Sequence, residues 1–242
     1  MKAAGLLVAA VMAVSLRGCI KYEYEHEFWL DVDGSGTVYV TGRPSLWAAF
    51  KGVAASDDRA DESRRAAREL FERSGLRVRR VTWTKREGRP YLFVSADFPD
   101  VNALSSMPAF ADLQVGLSAE SGRLRLNGRW HPPPQPGSPP PGDRTGLMAV
   151  RFHLPSKVYE HHNAVGGVER GNIVAWRQEV QRALDGQPLA FGAVIDHRSI
   201  LLSTVGLFAG AIAIGLAALG AAIYWTFRKG RAAARAPSPP PG

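Results

Sequence analysis

Between Tyr22 and Val32 the chain alternates. Tyr22, Tyr24, His26, Phe28, Leu30 and Val32 fall on one parity, and Glu23, Glu25, Glu27, Trp29 and Asp31 on the other. Period two over such a run predicts a half-buried strand with its carboxylates on the wet face. Asp33-Gly34-Ser35-Gly36 supplies a turn, and Thr37 to Thr41 a β-branched return strand. The period then changes. Pro44 opens a short helix over Ser45 to Val53, and a second helix runs from about Asp57 to Arg73, with Ser56 as its cap and Gly75 as its stop. Its apolar stripe is Ala60, Ala67, Leu70 and Phe71, narrow enough to lie on a sheet.

Strand patterns return in pairs. Leu76 to Thr84 and Tyr91 to Phe98 flank a turn at Glu87-Gly88; Leu113 to Ser118 and Arg123 to Trp130 flank Glu120-Ser121-Gly122. Asp100 caps one helical turn between these pairs. Tyr91 to Phe98 is apolar on both parities and reads as a central strand. His131 to Asp143 holds seven prolines and two glycines, so it cannot pair in a sheet and reads as an exposed loop. Beyond it, Leu147 to Leu154, Asn172 to Trp176 and Leu189 to Ile195 read as strands, and Glu179 to Leu184 as weakly helical. The predicted class is α+β: a mostly antiparallel sheet with a helix pair packed on one face.

One segment obeys neither period. From Ile200 to Phe227 there are 28 residues without a charge. About 20 residues suffice to cross the roughly 30 Å hydrocarbon core as a helix. Tyr224, Trp225 and Phe227 close the run, and Arg228, Lys229, Arg231 and Arg235 follow, the arrangement of a cytoplasmic flank. Residues 199–227 are therefore expected to span a membrane and 228–242 to form a basic, proline-rich cytoplasmic tail. Gly206, Gly210, Ala213, Ala217 and Gly220 recur at steps of three and four, a stripe that would admit a helix partner or a second copy.

At the other end, Lys2 precedes an apolar stretch from Ala3 to Val14, too short to span, which reads as an export signal over residues 1–18. Leu16-Arg17-Gly18-Cys19 resembles a bacterial lipobox and makes Cys19 the candidate lipidation site, although Arg17 stands where a small uncharged residue is usual. The alternative is cleavage after Ala13-Val14-Ser15, which leaves the chain's single cysteine as a free thiol outside the cytosol. Export places residues 19–198 outside a bacterial cytoplasmic membrane as one domain, single-pass, with the tail inside.

Charge changes the picture less than it first promises. The formal net charge is +8, yet setting aside Lys2, Arg17 and the four tail cations leaves 24 basic against 22 acidic residues. No stripe fit to track a phosphate backbone remains, which argues against nucleic acid. Arg77, Arg79, Arg80, Lys85, Arg86 and Arg89 do concentrate on one hairpin, as a solvated face or a contact for anionic headgroups.

A cysteine closing the signal, the Asp33-Gly34-Ser35-Gly36 turn, a Thr-Val-x-Val strand, Arg151-Phe152-His153-Leu154-Pro155-Ser156-Lys157-Val158, Gly171-Asn172-Ile173-Val174-Ala175-Trp176 and a terminal span occur in that order. This order resembles the LppM-type envelope lipoproteins. The resemblance implies an extracytoplasmic α+β domain, proposed in some members to bind envelope lipids, with no catalytic residues to carry over. Trp176 maps best, as a core tryptophan.

Catalytic chemistry is not legible. His153, His161, His162, Glu160 and Glu169 lack metal-ligand spacing, and no serine sits in a nucleophile elbow. Gly34-Ser35-Gly36 is a hairpin turn and not a phosphate cradle. The expectation is a non-enzymatic envelope protein without cofactor or metal, whose domain binds lipid or another apolar ligand; the alternative is an assembly protein acting through protein contacts.

Overall fold

A computed structural model describes residues 22–132, 143–164, 168–169, 172–197 and 200–234. They fall into two units, one within 1–197 and one within 198–242.

The first unit is built on two sheets. The larger contains β1 (Tyr22–Leu30), β2 (Gly36–Gly42), β3 (Arg77–Arg86), β4 (Arg89–Phe98), β7 (Leu147–His153), β9 (Val168–Glu169) and β10 (Ile173–Glu179), in the order β3-β4-β2-β1-β7-β10-β9. The smaller contains β5 (Leu113–Glu120), β6 (Arg123–Trp130), β8 (Val158–His162) and β11 (Leu189–Asp196), in the order β5-β6-β11-β8. Every pairing is antiparallel except β1 with β7, whose register sets Phe28 beside Phe152. A parallel pair needs a long crossover, and here the whole middle of the chain supplies it.

Tight turns follow the residues that tolerate positive φ. Glu87 and Gly88 adopt φ of 52° and 78°, the pair needed for a two-residue hairpin between β3 and β4. Helix α1 (Pro44–Lys51) starts on its proline, and α2 (Ala60–Arg73) stops before Gly75. The expected cap is different. Helix α2 begins at Ala60, not at Asp57, because Ser56 to Arg59 form a turn of their own. The Ser56 hydroxyl donates to Asp58, and its amide donates to the Ser63 hydroxyl. Asp100 does cap the 3-10 helix Val101–Ser106, accepting from the Asn102 amide.

Both sheets share one core. The inner parity of β1 (Tyr24, His26, Phe28) meets Trp47 and Phe50 of α1 and Trp130 of β6, and Phe71 of α2 packs on Trp47 and Phe110. Phe28 stacks on Phe152 with centroids 4.6 Å apart, and Phe191 of β11 packs on both Phe152 and Trp176. Each such side chain contributes about 1.5–3 kcal/mol when fully withdrawn from water. Trp47, Trp130 and Trp176 are all fully buried, and each indole N–H has an acceptor: Leu92 O, the Asp112 carboxylate and His162 O. Within the smaller sheet, cross-strand packing between β6 and its neighbours β11 and β5 requires glycine at position 128. A Cβ on Gly128 would sit 2.2 Å from Phe191 Cζ and 2.6 Å from the Gln114 carbonyl.

The class is the α+β one that the pattern predicts. The second sheet, the strands β8 and β9 and the β1–β7 parallel pair are additions that the pattern did not carry. The second unit contains one long helix, α4 (Ile200–Ala234). A short helix, α3 (Val180–Leu184), links β10 to β11.

Candidate functional site

Helix α4 is long and apolar enough to cross a membrane over Thr204–Arg228, 25 residues, about 37 Å at 1.5 Å per residue. None of that stretch is buried in protein. Leu207, Phe208, Ile212, Ile214, Leu216 and Leu219 all point into open space, which in water would expose a continuous apolar cylinder. Lipid is the medium that fits it. Tyr224, Trp225 and Phe227 are exposed at its end, as rings at a headgroup boundary are.

On the globular unit, the face of the seven-stranded sheet turned away from the core presents the most distinctive chemistry. Register and alternation place Phe93 (β4), Tyr39 (β2), Trp29 (β1) and His153 (β7) on that face. The rings form a row: Phe93 stacks on Tyr39 at 5.7 Å, Tyr39 meets Trp29 edge-on at 6.5 Å, and Trp29 lies flat on His153 at 3.8 Å. Trp29 stays 48% exposed, the most open aromatic described in this unit. Charged groups flank the row. His153 Nε2 is 2.7 Å from Glu27, and Arg151 reaches Glu25 and Glu27 at 3.2 and 3.6 Å. Burial works to raise the Glu27 carboxyl, but the His153 hydrogen bond and the charges of His153 and Arg151 outweigh it, so Glu27 titrates below its ordinary value. The Arg151 and Arg177 guanidinia sit over the Tyr22 ring at 5.4 and 5.7 Å. On the other flank, Arg77 and Arg79 both grip Asp97.

The three glutamates of β1 were expected on a wet surface, and one of them is not. Glu23 is buried, 2.7 Å from Arg89, and accepts from the Tyr91 hydroxyl at 2.8 Å. Burial and this bond to Glu23 push the Tyr91 phenol up to about 12. Arg43, almost wholly buried, lies 3.7 Å from Glu23, 3.4 Å from Asp57 and 2.9 Å from Asp143, and Ser45 also donates to Asp143. This knot ties Asp143 to the start of α1 and to β1.

A second polar group lies in the core itself. Lys51 Nζ is 2.7 and 2.9 Å from the two Asp112 oxygens and donates to Ala109 O at 2.7 Å; each side chain of the pair is 2% exposed. His26 is close by and fully buried. Burial first, and the Lys51 charge second, hold its imidazole well below the ordinary value, so it is neutral. Burial lowers the Lys51 ammonium too, against the pull of Asp112. These groups lie in the aromatic interior and have the character of structural polar contacts.

Three clefts formed by described residues lie on the globular unit, each with charged side chains in its lining. The largest, about 500 Å³, lies between the β1–β2 turn and Arg77, Arg79 and Asp97; others of about 340 and 190 Å³ are bounded by Arg123, Arg125 and Glu160, and by Gln114, Arg129 and His131.

The sequence-derived candidates distribute as follows. Cys19 lies outside the described residues, as do Gly171 and part of the proline-rich loop. Gly206, Gly210, Ala213, Ala217 and Gly220 occupy an arc of about 80° on α4 at 3.6 residues per turn. A Cβ at Gly206, Gly210 or Gly220 would meet nothing within 4 Å. His153 belongs to the larger sheet, His161 and His162 to β8 of the smaller one, and Glu160 lies 4.0 Å from Arg123. Among the described residues no group of three His, Cys, Asp or Glu side chains is arranged to hold a metal. Trp176 is a core residue, as the sequence implied. The aromatic row escaped the sequence reading, although Trp29 on the carboxylate parity of β1 was its visible trace.

No protein-family model matches the chain, and no curated protein matches it. Among solved structures it is similar to the folded domain of Mycobacterium tuberculosis LppM, an NMR structure, at 14% identity over 75% of this chain and 94% of that one, with a TM-score of 0.37. Overlap at that level is a weak relationship of fold and says nothing of what the site binds.

Proposed function

We propose that this is a membrane-anchored, non-catalytic protein of a bacterial cell envelope whose exported domain holds an amphiphile, a lipid or another apolar ligand, against the outer face of its larger sheet. Helix α4 is the anchor, its basic flank lies in the cytosol, and a lipid on Cys19 ties the other end of the domain to the same surface. The observation that carries the ligand reading is the row Phe93, Tyr39, Trp29 and His153: a half-exposed indole set among partly buried rings, with guanidinium groups on either flank. Exposed aromatic surface of this kind costs free energy unless something covers it. In the described core the aromatic side chains pack on one another. The order of sequence motifs shared with LppM-type lipoproteins supports the envelope assignment.

The test is mass spectrometry of lipid extracted from the purified full-length protein, alongside Trp29→Ala. A discrete lipid species retained by the wild type and reduced at least tenfold in the variant is the expected result. Equal retention by both, or only the bulk lipid composition, refutes the reading.

The second reading is an assembly protein. The open small-residue stripe of α4 favours it, because nothing described in the chain occupies that stripe. Crosslinking in native membranes, with the stripe widened by larger side chains, distinguishes the two.

A further inference from the structure

Sheets end in strands whose outer N–H and C=O groups lack a partner, and folded domains close such edges or make them short. Among the described residues, this domain does so at three of its four edges. Strand β5 is capped: its Val115 amide donates to the Ser105 hydroxyl at 3.0 Å, and its Leu117 amide to the Asn102 side chain at 2.8 Å. Strand β9 is two residues long and β8 is five. Strand β3 differs. It is ten residues long, pairs only with β4, and runs in regular register from Arg80 to Arg86 beyond the bulge at Val78/Arg80.

The side chains along that edge specify what it accepts. Arg80, Thr82, Thr84 and Arg86 stand opposite Ser95, Phe93, Tyr91 and Arg89, on the face that carries the aromatic row. Arg80 and Arg86 are exposed and lie six positions apart, about 20 Å at strand rise, with two β-branched hydroxyl residues between them. Lys85 is exposed on the opposite parity. Two copies of β3 would set cation against cation, so self-pairing is disfavoured.

We infer that the β3 edge receives an extended acidic segment of a partner protein as an added strand. Backbone hydrogen bonds supply affinity, and two carboxylates on one face, six residues apart, meet Arg80 and Arg86. A bare cationic patch would attract any polyanion, headgroups included. Strand addition requires the partner's amides.

The test uses full-length protein in neutral detergent micelles and a blocked seven-residue probe, Glu-Val-Thr-Val-Thr-Val-Glu, read by fluorescence anisotropy. A second probe has the same side chains with its central amides N-methylated. The native probe is expected to bind, the methylated probe at least tenfold more weakly, and Arg80→Glu/Arg86→Glu, with its fold checked by circular dichroism, to lose at least tenfold for the native probe. Absence of binding overturns the proposal. So does a methylated probe that binds within tenfold of the native one, the behaviour of a simple charge patch; this arm needs no variant to fold. A smaller loss in the double variant also overturns it.

Discussion

Removing the ammonium of Lys51 should unfold much of what holds this domain together. In Lys51→Met the stem still fills its space at the end of α1, but both Asp112 oxygens lose their cation, at 2.7 and 2.9 Å, and Ala109 O loses a donor. Asp112 keeps one partner, the Trp130 indole N–H at 2.8 Å. With the carboxylate only 2% exposed, water cannot replace what is lost. Breaking one side of a buried pair costs about 3–5 kcal/mol, against a total of about 5–15 kcal/mol for a typical domain. At an m-value of about 2 kcal/mol per molar urea, the midpoint falls by roughly 1.5–2.5 M. Intrinsic tryptophan fluorescence of the micelle-bound full-length protein is a suitable assay, because Trp130 reports from the site itself.

A second variant isolates the cause. Lys51→Met with Asp112→Asn removes the stranded charge while leaving an oxygen for Trp130, so it should recover more than half of the loss. The reasoning is refuted if Lys51→Met lies within 1 kcal/mol of wild type, or if the double variant is no more stable than the single one. Either outcome would mean that the interior around Asp112 is wetter than its burial implies.

Three further outcomes are expected. His26 is held neutral in the folded state by burial and by Lys51, so its folded pKa lies below the unfolded value near 6.5; the unfolded chain therefore binds more protons as pH falls, and stability present above about pH 6.5 is lost below it. Thermal melting between pH 7.5 and 5 should show this loss in wild type and a smaller one in His26→Leu. Gly128→Ala should cost about 1–3 kcal/mol in urea unfolding, since its Cβ would collide with Phe191 and the Gln114 carbonyl, and Phe191→Leu in the same chain should return part of that cost. Gly206→Ile with Gly210→Ile should leave insertion unchanged in a membrane reporter assay and weaken any self-association that wild-type α4 displays.

Much of the fold was legible because local chemistry decided it. The alternation of Tyr22 to Leu30, the turn at Glu87-Gly88 and the proline at the start of α1 each act within a few residues, and the structure keeps all three. What was hidden depends on residues far apart in the chain. Glu23 sits on the same parity as Glu25 and Glu27, and only the arrival of Arg43 and Arg89 buries it. Strand β8 reads Val-Tyr-Glu-His-His, with no apolar parity to mark it, and owes its existence to pairing with β11. Lys51 stands in the last turn of α1, where a cation usually faces solvent, and only its pairing with Asp112, sixty-one residues away, accounts for its burial. The candidate site divides in the same way. Trp29 among carboxylates was a local oddity, but its alignment with Tyr39, Phe93 and His153 exists only once four strands are in register.

If the outer face of the larger sheet holds a ligand, as proposed, its two faces have opposite tasks, and this bears on how that ligand would be admitted. The inner face is committed to a core of interlocking rings whose three buried indoles each have a hydrogen-bond acceptor, so opening it to admit a guest would strand polar groups and forfeit dense contacts. The outer face requires no such opening: Trp29 is already in solvent, fixed against His153, which is in turn fixed by Glu27. Binding there would leave the fold undisturbed and strand no buried polar group.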